Sequence, residues 1–325
     1  MASQREQFLS LAAKFEPKIQ EALIRAFNSA RVGVSEKKLV EALKSGGVGA
    51  VMDLLGNFRN LLDTEISTPL EGAIVAGGQL AYSIIPASSF IDDLVRYDPF
   101  AAGTIDFIQN YKLNLIQDIT NTTTEAIRNS LEKDLIDGVN PVTTARRFKN
   151  TIGLTPHQEK AVRNYRKYLT NLEAESLQRK LRDKRFDPTI ERAIESGKPL
   201  TPEQIDRMVN RYRERYIQYR SRVIARTESL RALSIGNQAA IQQMIQGGEV
   251  DQNKVRKFWV TNSGPRTRKA HQQIPGMNPD GRRLDEPFET PLGPIQFPRD
   301  PGGTAANTIQ CRCTVRYDKP KKETK

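Results

Sequence analysis

The sequence predicts a mainly α-helical protein that closes with a small, loop-rich α+β module. Apolar residues recur at helical spacing from the N-terminus to about residue 247. Glycine and proline punctuate that pattern where helices would end. After Gly248 the helical period is lost, Gly and Pro become frequent, and the runs VRKFWV, PFETP, PIQFP and CRCTVRY favour extended structure with hairpins.

The elements follow in chain order. EQFLSLAAKFEPKIQEALIRAFNSAR places Phe8, Leu11, Phe15, Ile19, Leu23 and Phe27 on one helix face. SEKKLVEALKSG begins at a Ser35 cap and stops at a glycine pair, the two marks of a short helix. Residues 72–86, GAIVAGGQLAYSIIP, are the most apolar stretch. They fall short of the roughly 20 residues that span a bilayer and read as a buried helix or helix–loop. DFIQNYKLNLIQDITNTTTEAIRNSLEKDLIDG carries another helical stripe up to Gly138, then come a turn, a helix and a short loop at 153–156. From Pro156 to about Gly247 two long, charged amphipathic helical stretches are predicted, with the short helix and loop PTIERAIESGKPL between them. In the second stretch Tyr212, Tyr216 and Tyr219, with Ile217 and Val223, form an aromatic-apolar side suited to packing.

Charge divides the chain as well. Residues 1–156 carry a net −2 and residues 157–325 a net +14, which make up the +12 of the 325-residue chain. The expected division is a helical N-terminal region, 1–156, and a C-terminal region, 157–325. The latter comprises charged helices (157–247), the α+β module (248–318) and a basic tail (319–325). Each region is long enough to bury a core. The basic surplus suggests an anionic neighbour, either nucleic acid or an acidic protein surface. The first residues have scattered charges and no apolar h-region, so neither a signal peptide nor a membrane partner is expected.

Cys311 and Cys313 are the only cysteines. A pair so close cannot form a secreted-type disulfide framework, which points to synthesis in a reducing cytosol. The flanking Thr308, Ile309, Thr314, Val315 and Tyr317 favour a strand. On a strand both thiols would face one way and Arg312 the other. Reduced thiols packed inside the small module are the preferred role, and no cofactor is expected. The alternative is a metal on His271, Cys311 and Cys313, with Asp285, Asp300 or water as the fourth ligand. A disulfide is a third option, although adjacent same-face positions are poorly placed to bridge each other.

Four motifs come in order between Arg222 and Tyr317: ARTESLRALSIGNQAA, KFWVTNSGPRTRKAH, LDEPF and FPRDPGGTAANTIQCRC. This order and spacing resembles the Mu F-type head morphogenesis domain of tailed bacteriophages. The positions that carry the resemblance are Arg226, Thr227, Glu228 and Asn237, then Trp259, then Arg266, Arg268 and His271. Pro298 and Asp300 follow, and then Cys311, Arg312 and Cys313. Family members commonly carry Asn just before C-R-C, where this chain has Gln310.

The resemblance implies a minor head protein acting in capsid assembly near the portal vertex. It would be made in the host cytoplasm and carried in the virion. The implied partners are the portal protein, other capsid or scaffolding proteins, and packaged or exiting double-stranded DNA bound without sequence preference. The motif residues then have a structural role. Arg226, Glu228, Arg268 and His271 would staple loop carbonyls, and Glu228 would pair with Arg231 three residues on. The alternative is an enzyme of nucleic-acid or ADP-ribosyl type that uses Arg226, Glu228 and His271.

Overall fold

The computed structural model describes residues 2–91, 98–99, 102–262, 264–265 and 267–320. Arg266 and the part of the basic tail beyond residue 320 lie outside the described residues. The protein is mainly α with a small α+β module. The first helices are α1 (Gln4–Gly33), α2 (Glu36–Ser45), α3 (Gly47–Asp53), α4 (Phe58–Ile84) and α5 (Ala102–Ile136). They are followed by α6 (Pro141–Thr151), α7 (Pro156–Thr170), α8 (Asp187–Ser196) and the long α9 (Pro202–Gln246). The C-terminal module holds β1 (Arg256–Val260), α10 (Lys269–Met277), the short α11 (Ala305–Thr308) and β2 (Thr314–Asp318). No helix among the described residues is long and apolar enough to cross a membrane.

The chain forms two compact units, each assembled from separated segments. One contains residues 1–20, 66–113 and 222–325, and the other residues 21–65 and 114–221. The boundary drawn at residue 156 from charge falls inside the second unit.

In the second unit, side-chain caps explain where helices start. Ser35 accepts the Lys38 N–H at the start of α2, and Thr155 and Gln158 form a reciprocal capping box at α7. The core includes Leu23, Phe27, Leu39, Leu62, Phe148, Tyr165 and Tyr212. Tyr165 and Tyr212 rings lie 4.4 Å apart. Tyr219, expected on the same packed side, is exposed at 39%. The long helix expected after Pro156 stops at Thr170, and residues 174–178 and 184–186 are short 3-10 turns. α7 ends because Leu172 takes φ +55° and the Glu173 N–H closes back on the Tyr168 carbonyl at 2.8 Å. Asp183 shapes the later turn at 184–186. Its buried carboxylate accepts the Arg185 backbone N–H and gathers the Arg185, Arg211 and Arg215 side chains at 2.6, 3.4 and 3.4 Å. A side chain that captures a nearby backbone donor competes with the helix ladder.

In the first unit, α4 and α9 approach closely enough that two glycines are required. A Cβ on Gly77 would lie 2.1 Å from the Leu233 carbonyl oxygen, and one on Gly236 would lie 1.7 Å from the Ile74 carbonyl oxygen. Around this crossing Phe8, Leu80, Ile84, Leu230, Leu233, Ile241 and Met244 form a core that extends to Val255, Leu284 and Tyr317. β1 and β2 pair antiparallel, with Trp259 opposite Val315 and Val260 opposite Thr314. PFETP and PIQFP form no full strands. They meet through the single bridge Phe288–Ile295, closed by two backbone hydrogen bonds of 2.8 and 3.1 Å.

The C-R-C tripeptide lies just before β2 rather than on it, and Thr308 belongs to α11. Gln310 between them takes φ +55°, the left-handed turn that redirects the chain into the strand. This conformation suits Asn or Gly better than Gln. Because the Gln310 backbone N–H still reaches Thr227, Gln310→Asn should raise the unfolding free energy by about 0.5 kcal/mol. Urea titration of the two proteins checks this.

Candidate functional site

The site is built on backbone segment 309–313, which four side-chain hydrogen bonds clamp. Thr227 on α9 accepts the Gln310 N–H at 3.2 Å, and the Arg268 guanidinium donates to the Ile309 carbonyl. Arg299 reaches both flanking carbonyls, donating to Cys311 O at 3.0 Å and Cys313 O at 2.7 Å. Its other terminal nitrogen donates to Ser234 Oγ at 2.9 Å. Arg299 is wholly buried, with φ +73°, and its own carbonyl accepts from Arg231, which pairs with Glu228 at 2.9 Å. A planar guanidinium fork is the side chain best able to hold two carbonyls in one orientation.

Clamped in this way, Cys311 and Cys313 point inward and Arg312 outward, as the alternation of an extended chain requires. Both cysteines are free, 2% exposed, and packed in a small apolar cluster with Trp259, Ile274, Phe288 and Ile295. His271 on α10, also 2% exposed, stands between the sulfurs. Its Nδ1 lies 3.5 Å from Cys311 Sγ and 3.6 Å from Cys313 Sγ. Trp259 and Phe288 wall this face, Trp259 edge-on to His271 at 5.8 Å and to Phe288 at 5.4 Å.

A chain of hydrogen bonds sets the histidine tautomer. Thr290 Oγ donates its only proton to the Gly293 carbonyl at 2.6 Å, so it must accept from Asn307 Nδ2 at 3.1 Å. The Asn307 Oδ1 therefore accepts from His271 Nε2–H at 3.0 Å. Nδ1 is left with a lone pair facing two sulfurs. The sulfurs also act on each other. Cys313 donates toward Cys311, and the buried Arg299 guanidinium adds to this, so the Cys311 thiol is held well below the usual thiol range. Cys313, facing the other sulfur and buried, is pushed up.

One side of this cluster opens into a cavity of about 480 Å³. Arg226, Arg268 and Arg312 line it with Asn262, His271 and the two cysteines, and no carboxylate is among the described residues lining it. Arg226 makes a 3.1 Å ion pair with Glu16.

The other motif residues stand apart from the cavity. Glu228 is buried, bonded to Arg231 and the Tyr111 hydroxyl, and does not line the cavity. Asn237 accepts from the Tyr317 hydroxyl at 2.8 Å. Asp300 accepts the Gln296 and Gly302 N–H groups, which closes its own loop. Arg226, Glu228, Arg268 and His271 thus serve separate local bonds rather than one network. Arg299 and Asn307 escaped the sequence reading. The only sequence signal for Arg299 was the adjacent pair Arg299–Asp300, the sole charges between Glu289 and Arg312.

Residues 184–316 match the model of the family described as Phage Mu protein F like protein, the family that the motif order resembles. The matched stretch contains the whole clamped segment, His271 and Arg299. No curated protein and no solved structure matches the chain.

Proposed function

We propose that this chain is a phage minor head protein with a structural, non-enzymatic role, carried in the virion and placed near the portal vertex during head assembly. The family match over residues 184–316 is the observation that carries this reading. The surroundings of the motif residues support it. Thr227, Arg268 and Arg299 use their donor and acceptor groups on the chain's own backbone, and the Glu228 carboxylate is bonded to Arg231 and Tyr111. An enzyme built on Arg226, Glu228 and His271 would need the Glu228 carboxylate free at the cavity, and it is neither free nor there. The +14 charge of residues 157–325 suits contact with an acidic portal or scaffold surface and with the phosphate backbone of DNA.

The test is co-purification of the tagged protein with the portal protein of the same phage, with and without nuclease, over a salt series. Recovery of portal after nuclease treatment is the expected result for direct protein contact. DNA held without sequence preference should elute steeply as salt rises, because bound counterions are released on association. A protein that recovers neither portal nor DNA overturns the reading.

A further inference from the structure

We propose that His271, Cys311 and Cys313 form a binding site for a zinc-class transition-metal ion, with Nδ1 of His271 as the nitrogen ligand and a fourth position open to the cavity. The three ligand atoms lie within 4.8 Å of one another, and all three residues are buried.

The distances fit a coordinated ion. In a tetrahedral zinc site with ordinary Zn–S and Zn–N bond lengths, the nitrogen and each sulfur are separated by about 3.6 Å. Here the two separations are 3.5 and 3.6 Å. A packed pair of thiols, with Cys313 donating to Cys311 and Cys311 to Nδ1, would use only one of these two close N–S approaches. A cation at the centre uses the lone pair and both sulfurs together.

Two features outside the three ligands point the same way. The Gly293–Thr290–Asn307–His271 chain forces the proton onto Nε2 and presents Nδ1 bare. Metal-ligating histidines are held in this manner by an acceptor on their other nitrogen. The second feature is Arg299, a fully buried guanidinium whose hydrogen bonds all go to neutral oxygens. A buried cation without an anionic partner is costly. The nearby sulfurs supply that partner if they are thiolates, the form in which cysteine binds metal. With two thiolates the ion and its ligands are neutral, and Arg299 remains as the field that favours the deprotonated sulfurs. Softness of the two sulfurs and the imidazole selects zinc-class ions over Mg²⁺ or Ca²⁺. The fourth ligand is a water from the cavity, whose arginines also suit an anionic oxygen.

The test uses the purified, reduced, metal-free full chain and Co²⁺ as a spectroscopic probe. The expected result is a thiolate-to-cobalt charge-transfer band that saturates at about one equivalent and is bleached by Zn²⁺. Cys311→Ser with Cys313→Ser should abolish the band, and Asn307→Ala should weaken cobalt binding about 10-fold or more while keeping it. Alkylation of the wild-type cysteines needs no variant to fold, and Zn²⁺ should slow it at both positions. Absence of the band in the wild type overturns the proposal, as does a band that survives loss of both cysteines. Equal alkylation with and without Zn²⁺ overturns it too.

Discussion

Gly236→Val should unfold the unit that holds the site, at a cost of about 4 kcal/mol or more. A Cβ at this position would sit 1.7 Å from the Ile74 carbonyl oxygen and 2.9 Å from the Gly78 backbone nitrogen. Neither neighbour is the end of a flexible side chain. Relief would require α4 and α9 to separate, which would open the core of Leu80, Ala81, Leu233, Ala240 and Ile241 packed around the crossing. Interiors at crystal-like density do not absorb such a shift locally. The measurement is chemical denaturation followed by far-ultraviolet circular dichroism, with Gly33→Ala as the control. A Cβ on Gly33 meets nothing within 4 Å, so that variant should stay within about 0.5 kcal/mol of the parent. A Gly236→Val protein with an unchanged midpoint would show that the helices do not touch here.

Arg299→Leu is the second large effect, expected at about 3 kcal/mol. Leucine fills similar space but leaves the Cys311 and Cys313 carbonyls and Ser234 Oγ without the donors that now serve them. Each buried acceptor stripped of its donor costs about 1–3 kcal/mol, and removal of a costly buried charge offsets part of the sum. Burial pushes the Arg299 guanidinium below its usual range, while the two sulfurs pull it back up. Arg299→Lys should rescue little, because an ammonium cannot span two carbonyls with a rigid fork. Thermal melting of the two variants checks both statements. A full rescue by lysine would mean that charge alone, rather than the fork, holds the segment.

How much of this was legible in the sequence varied with the range of the interactions. Helix formation is decided within a few turns. The Phe8–Ile19–Leu23–Phe27 stripe, the Ser35 cap and the left-handed Gly138 therefore announced their elements directly. The inward alternation of Cys311 and Cys313 was also local, and it survives although the tripeptide precedes the strand. Periodicity misled after Pro156, because the left-handed Leu172 that ends α7 leaves no mark in the apolar pattern.

The sequence by itself determined the helical class, the position of the small module, the motif order and the three candidate ligand residues. Only the tertiary structure decided that His271 meets sulfurs 40 and 42 positions away, and that Thr227 holds a backbone amide 83 positions on. It also decided that Gly77 and Gly236 are where two helices touch. The physical reason is that periodicity and caps act through neighbours along the chain. Which carbonyl a guanidinium reaches, or which nitrogen a thiol faces, depends instead on how packed cores bring distant segments together.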